Sequence, residues 1–375
     1  MENSAKYRSL TVTALMLACY FAFILAGQTE DQRFNEIRAK HDRGEKITED
    51  ERDYVESKIE RRNQEESAKR QADYAKAHPP RESTGLMPLP DLGDGKYKGE
   101  QGGLYPGGSN YAPNEHLRAG LQLSRQIVPL DQEGHASASG RIVLCSIGMS
   151  NTTQETRSFL KLAAIEQGLN PKLTLVDCAQ GAQTASKIQD PNLPYWKVVK
   201  ERLANAEVTP QQVQVVWVKE ANGNPTEPFP EHAKKLQANM VNVLHNLHDK
   251  FPNLKIAYLS SRIYGGYAGG ILNPEPYAYE EGFSMKWLIA DQIAGKPELN
   301  YDPAKGPVRA PWTVWGPYLW ADGLKGRTDG LVVWKREDLG PDGTHPSMLG
   351  REKVARLLMN FLETDLTSRS WFVKQ

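Results

Sequence analysis

The chain has 375 residues, 46 Lys+Arg against 46 Asp+Glu, 39% hydrophobic residues, 31 glycines and 24 prolines. That length holds one sizeable α/β domain with an appendage, and so much glycine and proline speaks against a plain helical bundle. A formal net charge of zero gives no electrostatic case for a nucleic-acid partner, and Cys19, Cys145 and Cys178 lack the C-x-x-C spacing of a zinc site.

Lys6 and Arg8 precede an apolar run from Ser9 to Gly27 that ends in small residues, Leu25-Ala26-Gly27. This reads as an export signal, and the run is almost long enough to be an uncleaved anchor instead. Either way the positive residues stay inside and the body is placed outside the cytoplasm. A lipoprotein box at Leu17-Ala18-Cys19 is discounted, because Tyr20–Ala26 continues the apolar run. Residues 28–80 form a charged arm. A helix is expected up to Gly44, then a second from Glu49 to about Ala77, started by a Thr48–Glu51 capping box and ended by Pro79-Pro80. Its apolar positions are sparse, so the arm spaces the domain from a membrane or lies on the domain's surface.

Residues 81–140 are a glycine- and proline-rich lead-in. Tyr97, Leu104, Tyr105 and Tyr111 suit it to packing on the domain, and a helix is expected at Glu115–Ser124. From Arg141 to the end the pattern alternates. Strands are expected at 141–147, 172–177, 212–218 and 255–260, and helices at 153–167, 195–205, 231–250, 278–294 and Ser347–Leu362. Short apolar β-branched strands alternating with helices predict a parallel sheet covered on both sides. Cys145 and Cys178, at the first two strands, are read as buried core thiols, with a disulfide as the alternative.

The first strand runs into Gly148-Met149-Ser150-Asn151, at the sheet edge where ligands collect in α/β proteins. Asp342-Gly343-Thr344-His345 lies far down the chain, just before the last helix. Together they supply a hydroxyl, an imidazole and a carboxylate, the parts of a serine hydrolase. At these residues, over roughly 141–364, the chain resembles the SGNH/GDSL hydrolases. Gly148-Met149-Ser150 stands for the family's G-D-S block and Gly181 for its second-strand glycine. Lys219-Glu220-Ala221-Asn222 stands for G-x-N-D, and Asp342-Gly343-Thr344-His345 for D-x-x-H. Met149 replaces the usual aspartate, and the G-x-S-N form looks more like the family's carbohydrate acetylesterase branch.

The resemblance implies a three-layer α/β/α sandwich with a parallel sheet, here preceded by the helical arm. It implies Ser150 as nucleophile, His345 as base, Asp342 as its partner, and an oxyanion hole from Ser150, Gly181 and Asn222, with Asn224 as the other candidate amide. It needs no cofactor and no metal. Asn151, Lys219, Arg262 and Tyr264 are candidate substrate contacts. Lys219 either points into the cleft or faces solvent. The aromatics of Leu272–Tyr279 and Pro311–Trp320 either line a sugar site or pack their loops onto the domain. The expected function is an exported serine esterase acting on O-acetyl esters, with carbohydrate as the substrate class. The alternatives are a lipase- or thioesterase-like member, a silent carbohydrate-binding protein of the same fold, and a tethered interaction protein working through its arm. Membrane contact is expected only through the N-terminal segment.

Overall fold

The computed structural model describes residues 32–40, 43, 45 and 48–374, so the expected signal or anchor at 1–27 lies outside it. The chain divides into two compact units, Met1–Gln71 and Ala72–Gln375. In the first, helix 32–40 precedes the 29-residue helix Glu49–Ala77, whose residues up to Gln71 belong to this unit. The Thr48 N–H donates to Glu51 Oε2 at 3.0 Å and the Glu51 N–H to Thr48 Oγ1 at 3.2 Å. This reciprocal pairing satisfies two amides that a helix start leaves free. Glu51 also accepts from Lys40 Nζ at 2.7 Å, joining the two helices. Among the described residues no helix is long and apolar enough to cross a membrane.

The second unit is built on five parallel strands: β1 (Ile142–Gly148), β2 (Leu173–Asp177), β3 (Val213–Lys219), β4 (Ile256–Leu259) and β5 (Trp312–Trp315). Their order across the sheet is β2-β1-β3-β4-β5. The order reverses between β1 and β3, so the carboxyl ends of these two strands flank the crevice where ligands settle in such sheets. Every residue of β1, β3, β4 and β5 is buried, which requires cover on both faces. Helices supply it. α1 (Asn114–Ser124), α2 (Ser150–Ala163), α3 (Pro194–Asn205), α4 (Glu231–Lys250), α5 (Tyr277–Ile293) and α6 (Met348–Thr364) surround the sheet. α2 packs on α6 and α4 on α5, giving the outer layers of an α/β/α sandwich.

One strand departs from the sequence pattern. β5 falls within the aromatic stretch Pro311–Trp320, which the pattern reads as loop. Trp, Thr and Val suit a pleated surface as well as they suit a packed loop. Trp312, Trp315, Tyr318 and Trp320 are all buried, so this stretch offers no exposed platform for a sugar ring. Instead it receives the lead-in: Trp315 Nε1 donates to the Leu104 carbonyl at 2.7 Å, and the Leu89 N–H to Tyr318 Oη at 3.3 Å. Buried Asp322 accepts from the hydroxyls of Ser83 and Thr84 and from the amides of Thr84 and Gly85. The lead-in is thus a fixed strap. Tyr97 and Tyr105 pack as the sequence suggests, while Tyr111 stands exposed. Cys145 and Cys178 are free, fully buried thiols, and the neighbouring Cys178 thiol together with burial pushes the Cys145 thiol up.

Candidate active site

β1 ends at Gly148, and α2 begins at Ser150 with Met149 as its extended N-cap. The helix starts three residues earlier than the sequence pattern suggests, so Ser150 lies within its first turn rather than capping it. A Cβ on Gly148 would collide with Thr152 Oγ1 and the Lys219 carbonyl oxygen, so glycine alone lets the strand end this close to β3. Thr152 Oγ1 donates to that same carbonyl at 2.7 Å. Thr153 Oγ1 donates to Asp177, whose other carboxyl oxygen accepts from Ser146 Oγ at 3.2 Å and from the Ala179 N–H at 3.1 Å. The turn carrying Ser150 is therefore bonded to the ends of both neighbouring strands.

The histidine arrives on a separate loop. Asp342 Oδ1 accepts the backbone amides of Thr344 and His345, each at 3.0 Å, closing the loop on itself. Its other oxygen, Oδ2, lies 2.6 Å from His345 Nδ1. Partial burial pushes the Asp342 carboxyl up, but the hydrogen bonds from the His345 ring and the two amides outweigh it and leave the group below its ordinary value. With Nδ1–H donated to Asp342, Nε2 is free to accept, and it sits 2.8 Å from Ser150 Oγ. Asn151 Nδ2 donates to the Thr344 carbonyl at 3.0 Å and ties the two loops together.

Gly343 makes the short Asp-x-x-His separation work. Its φ is +65°, and a Cβ would fall on the Tyr267 carbonyl oxygen. Gly343→Ala is expected to cost about 2–5 kcal/mol, a left-handed conformation plus a backbone clash. Urea unfolding of the full chain checks this.

The structure thus brings Ser150, His345 and Asp342 into one hydrogen-bonded relay. Gly181 is beside them, since a Cβ built on it would lie 3.8 Å from Ser150 Cβ. Asn222 follows β3 by three residues and is partly exposed, with its N–H donating to Glu281 Oε1 at 3.3 Å. Asn224 has a left-handed backbone (φ +52°) and its N–H bonds to the Leu272 carbonyl.

Four candidate substrate contacts need correction. Lys219 neither enters the cleft nor faces solvent. It is fully buried, with Nζ 2.6 Å from both carboxyl oxygens of Glu155. Burial lowers its ammonium to about 8 although Glu155 opposes the shift. Arg262 is 4% exposed and donates through Nε to Asn273 Oδ1 at 3.2 Å, so it is a buried strut rather than a rim residue. Tyr264 is 1% exposed, and its hydroxyl donates to the Arg81 carbonyl of the strap. Asn151 is buried and spent on Thr344. All four side chains are buried and each is hydrogen-bonded to another part of the chain, as desolvation requires, although Arg262 Nη1 has no partner among the described residues.

Sequence reasoning missed the groups that support the site from behind: Glu155, Asp177, Asn239 and Glu281. Burial raises the Glu281 carboxyl to about 8, against the pull of Arg262. No cluster of metal-ligating side chains occurs among the described residues. Two hollows of about 450 Å³ lie apart from Ser150. One is lined by Pro113, His116 and Tyr301, the other by Lys255, Pro311 and Trp312 at the amino ends of β4 and β5, opposite the carboxyl edge that carries the relay.

No family model matches the chain, and no curated protein matches it. Among solved structures, the Bacillus subtilis protein YxiM aligns over 60% of this chain and 56% of its own, at 12% identity and a TM-score of 0.33. The chain therefore spans a little over half the length of that structure. The periplasmic domain of a Salmonella ser. Paratyphi A lipopolysaccharide acetyltransferase aligns over 66% of this chain and 95% of its own, at 11% identity and a TM-score of 0.32.

Proposed function

We propose that this protein is an exported serine esterase of SGNH type that hydrolyses acyl esters, O-acetyl groups on carbohydrate in particular. The observation that carries the reading is the Ser150–His345–Asp342 relay, with separations of 2.8 and 2.6 Å. Ser150 Oγ attacks the ester carbonyl while His345 Nε2 takes its proton. The negative charge formed on the carbonyl oxygen is met by the N–H groups of Ser150 and Gly181 and by the Asn222 side chain. When the tetrahedral species collapses, the carbon–oxygen bond to the alcohol breaks and His345 returns the proton to the leaving oxygen. Water, deprotonated by the same imidazole, then cleaves the acyl-serine and regenerates the hydroxyl. Asp342 holds the imidazole in the required tautomer throughout and stabilises its charged form.

Openness supports a bulky, hydrophilic substrate. The Asp342 and His345 side chains are 48% and 29% exposed, which suits esters carried on a larger polar molecule. The carbohydrate assignment rests on this and on the G-x-S-N turn, since the aromatics of Pro311–Trp320 are buried. A silent binding module would have no use for the relay.

The test is twofold. The full chain should hydrolyse p-nitrophenyl acetate, and a serine-directed fluorophosphonate should label it stoichiometrically at Ser150. Release of acetate from acetylated oligosaccharides, faster than from acylglycerols, would support the substrate class. A chain that neither hydrolyses the ester nor takes the label at Ser150 would overturn the reading.

A further inference from the structure

Asn222 has four hydrogen-bonding groups, and three are committed. Its N–H goes to Glu281 Oε1 at 3.3 Å, and its carbonyl accepts from Asn273 Nδ2 at 3.5 Å. Its side-chain Oδ1 accepts from the Ser186 N–H at 3.1 Å and from Asn239 Nδ2 at 3.1 Å. An amide's oxygen and nitrogen can usually be exchanged without penalty to the shape. Here they cannot, because the Ser186 backbone N–H is a donor only and must meet oxygen. The Asn222 amide is therefore oriented with Nδ2 as its uncommitted end. The same logic fixes Asn239, which must present its own NH₂ to Asn222 Oδ1. Asn239 projects from α4 and is 8% exposed, so this donation is shielded from competing water.

We propose that Asn239 is a positioning residue of the esterase: by clamping Asn222 Oδ1 from α4, together with the Ser186 amide, it holds Asn222 Nδ2 as an oxyanion donor. This rests on the esterase reading above. It also decides between the two candidate amides, since the Asn224 side chain has no comparable clamp and its backbone is left-handed. Preorganisation is what such a clamp supplies. A donor fixed before reaction costs nothing to orient when the charge forms, so its loss falls on kcat rather than on KM.

The substitution Asn239→Asp keeps the shape and replaces the donor by an acceptor, which repels Asn222 Oδ1 and favours a turned amide. Asn239→Ala removes the donor without adding charge and leaves the Ser186 bond in place, so it serves as the second variant. Both are compared with Asn222→Ala and with Asn222→Ala/Asn239→Asp, using p-nitrophenyl acetate and the full chain. Asn222→Ala is expected to lower kcat by about 10²-fold. Asn239→Asp should lower it by about tenfold or more and Asn239→Ala by less, with KM nearly unchanged in both. The double variant should be no slower than Asn222→Ala, because the clamp acts only through the group already removed. A loss from Asn239→Asp that multiplies with that of Asn222→Ala, or that appears in KM alone, would overturn the proposal. So would an inert Asn222→Ala in a chain whose Ser150→Ala variant is dead. Failure of Ser150→Ala to abolish hydrolysis is a different result and counts against the esterase reading itself.

Discussion

Ser150→Ala is expected to lower acetyl-ester hydrolysis by about 10⁴-fold or more, down to what binding and the oxyanion donors sustain alone. His345→Ala should fall to a similar level, because a hydroxyl without its base is a poor nucleophile at neutral pH. Ser150→Ala/His345→Ala should be no slower than the worse single variant. The two groups act in one proton transfer, so removing the second takes away nothing that still works. The fold should be unaffected, since Ser150 Oγ bonds only to the imidazole and caps no helix amide. Rates of p-nitrophenyl acetate hydrolysis for the four proteins, with far-ultraviolet circular dichroism alongside, check both statements. If Ser150→Ala retains more than about a tenth of the parent rate, the nucleophile is another group and the relay is structural.

The parts of this site that sequence pattern can reach are those whose meaning is local. A β-branched run ending in Gly-x-Ser marks a strand edge whatever surrounds it, and Asp-x-x-His before a helix closes its own loop through Asp342 Oδ1. The strands β1 to β4 were legible for the same reason, from short runs such as Val213–Val218. What was not legible depends on partners distant in sequence. Lys219, Tyr264 and Asn151 are polar residues near strand ends, and nothing in the chain nearby says whether they face a cleft or a buried partner. Their partners are Glu155, Arg81 and Thr344, 64, 183 and 193 residues away. Asn239 is hidden differently, as one polar residue among many on α4. β5 was missed because a buried aromatic strand and an aromatic loop share a composition. The lead-in's place is likewise set by distant partners, Trp315 and Tyr318, 211 and 229 residues from the Leu104 and Leu89 they bind.

Lys219→Met should destabilise the chain by about 3–5 kcal/mol, the usual cost of leaving one member of a buried ion pair alone. Lys219 and Glu155 are both fully buried, and the ammonium sits 2.6 Å from each carboxyl oxygen. Burial already pushes the Glu155 carboxyl up, with Lys219 as the main opposing influence. Without the cation the rise is unopposed, and the folded chain must hold Glu155 protonated. The unfolded chain ionises it freely above the ordinary carboxylate range. A carboxyl whose folded value is raised loses stability as pH climbs from its unfolded value to its folded one. The deficit of the variant should therefore be small near pH 5, where the two states differ little in protons bound, and approach its full size near pH 8. Urea unfolding of parent and variant at both pH values reads it directly. Glu155→Leu/Lys219→Met should recover most of the loss, since an apolar pair of similar volume avoids desolvating any charge. A pH-independent deficit, or a double variant as unstable as Lys219→Met, would mean that Lys219 contributes by packing rather than by charge. The distinction matters for the site, because Glu155 lies on the same helix as Ser150 and Lys219 ends the strand that precedes Asn222. An ion pair there adds a charged tie to the Thr152 Oγ1–Lys219 carbonyl bond between the helix that carries Ser150 and the strand that leads to Asn222, and a packing contact would leave that bond alone to hold the two in register.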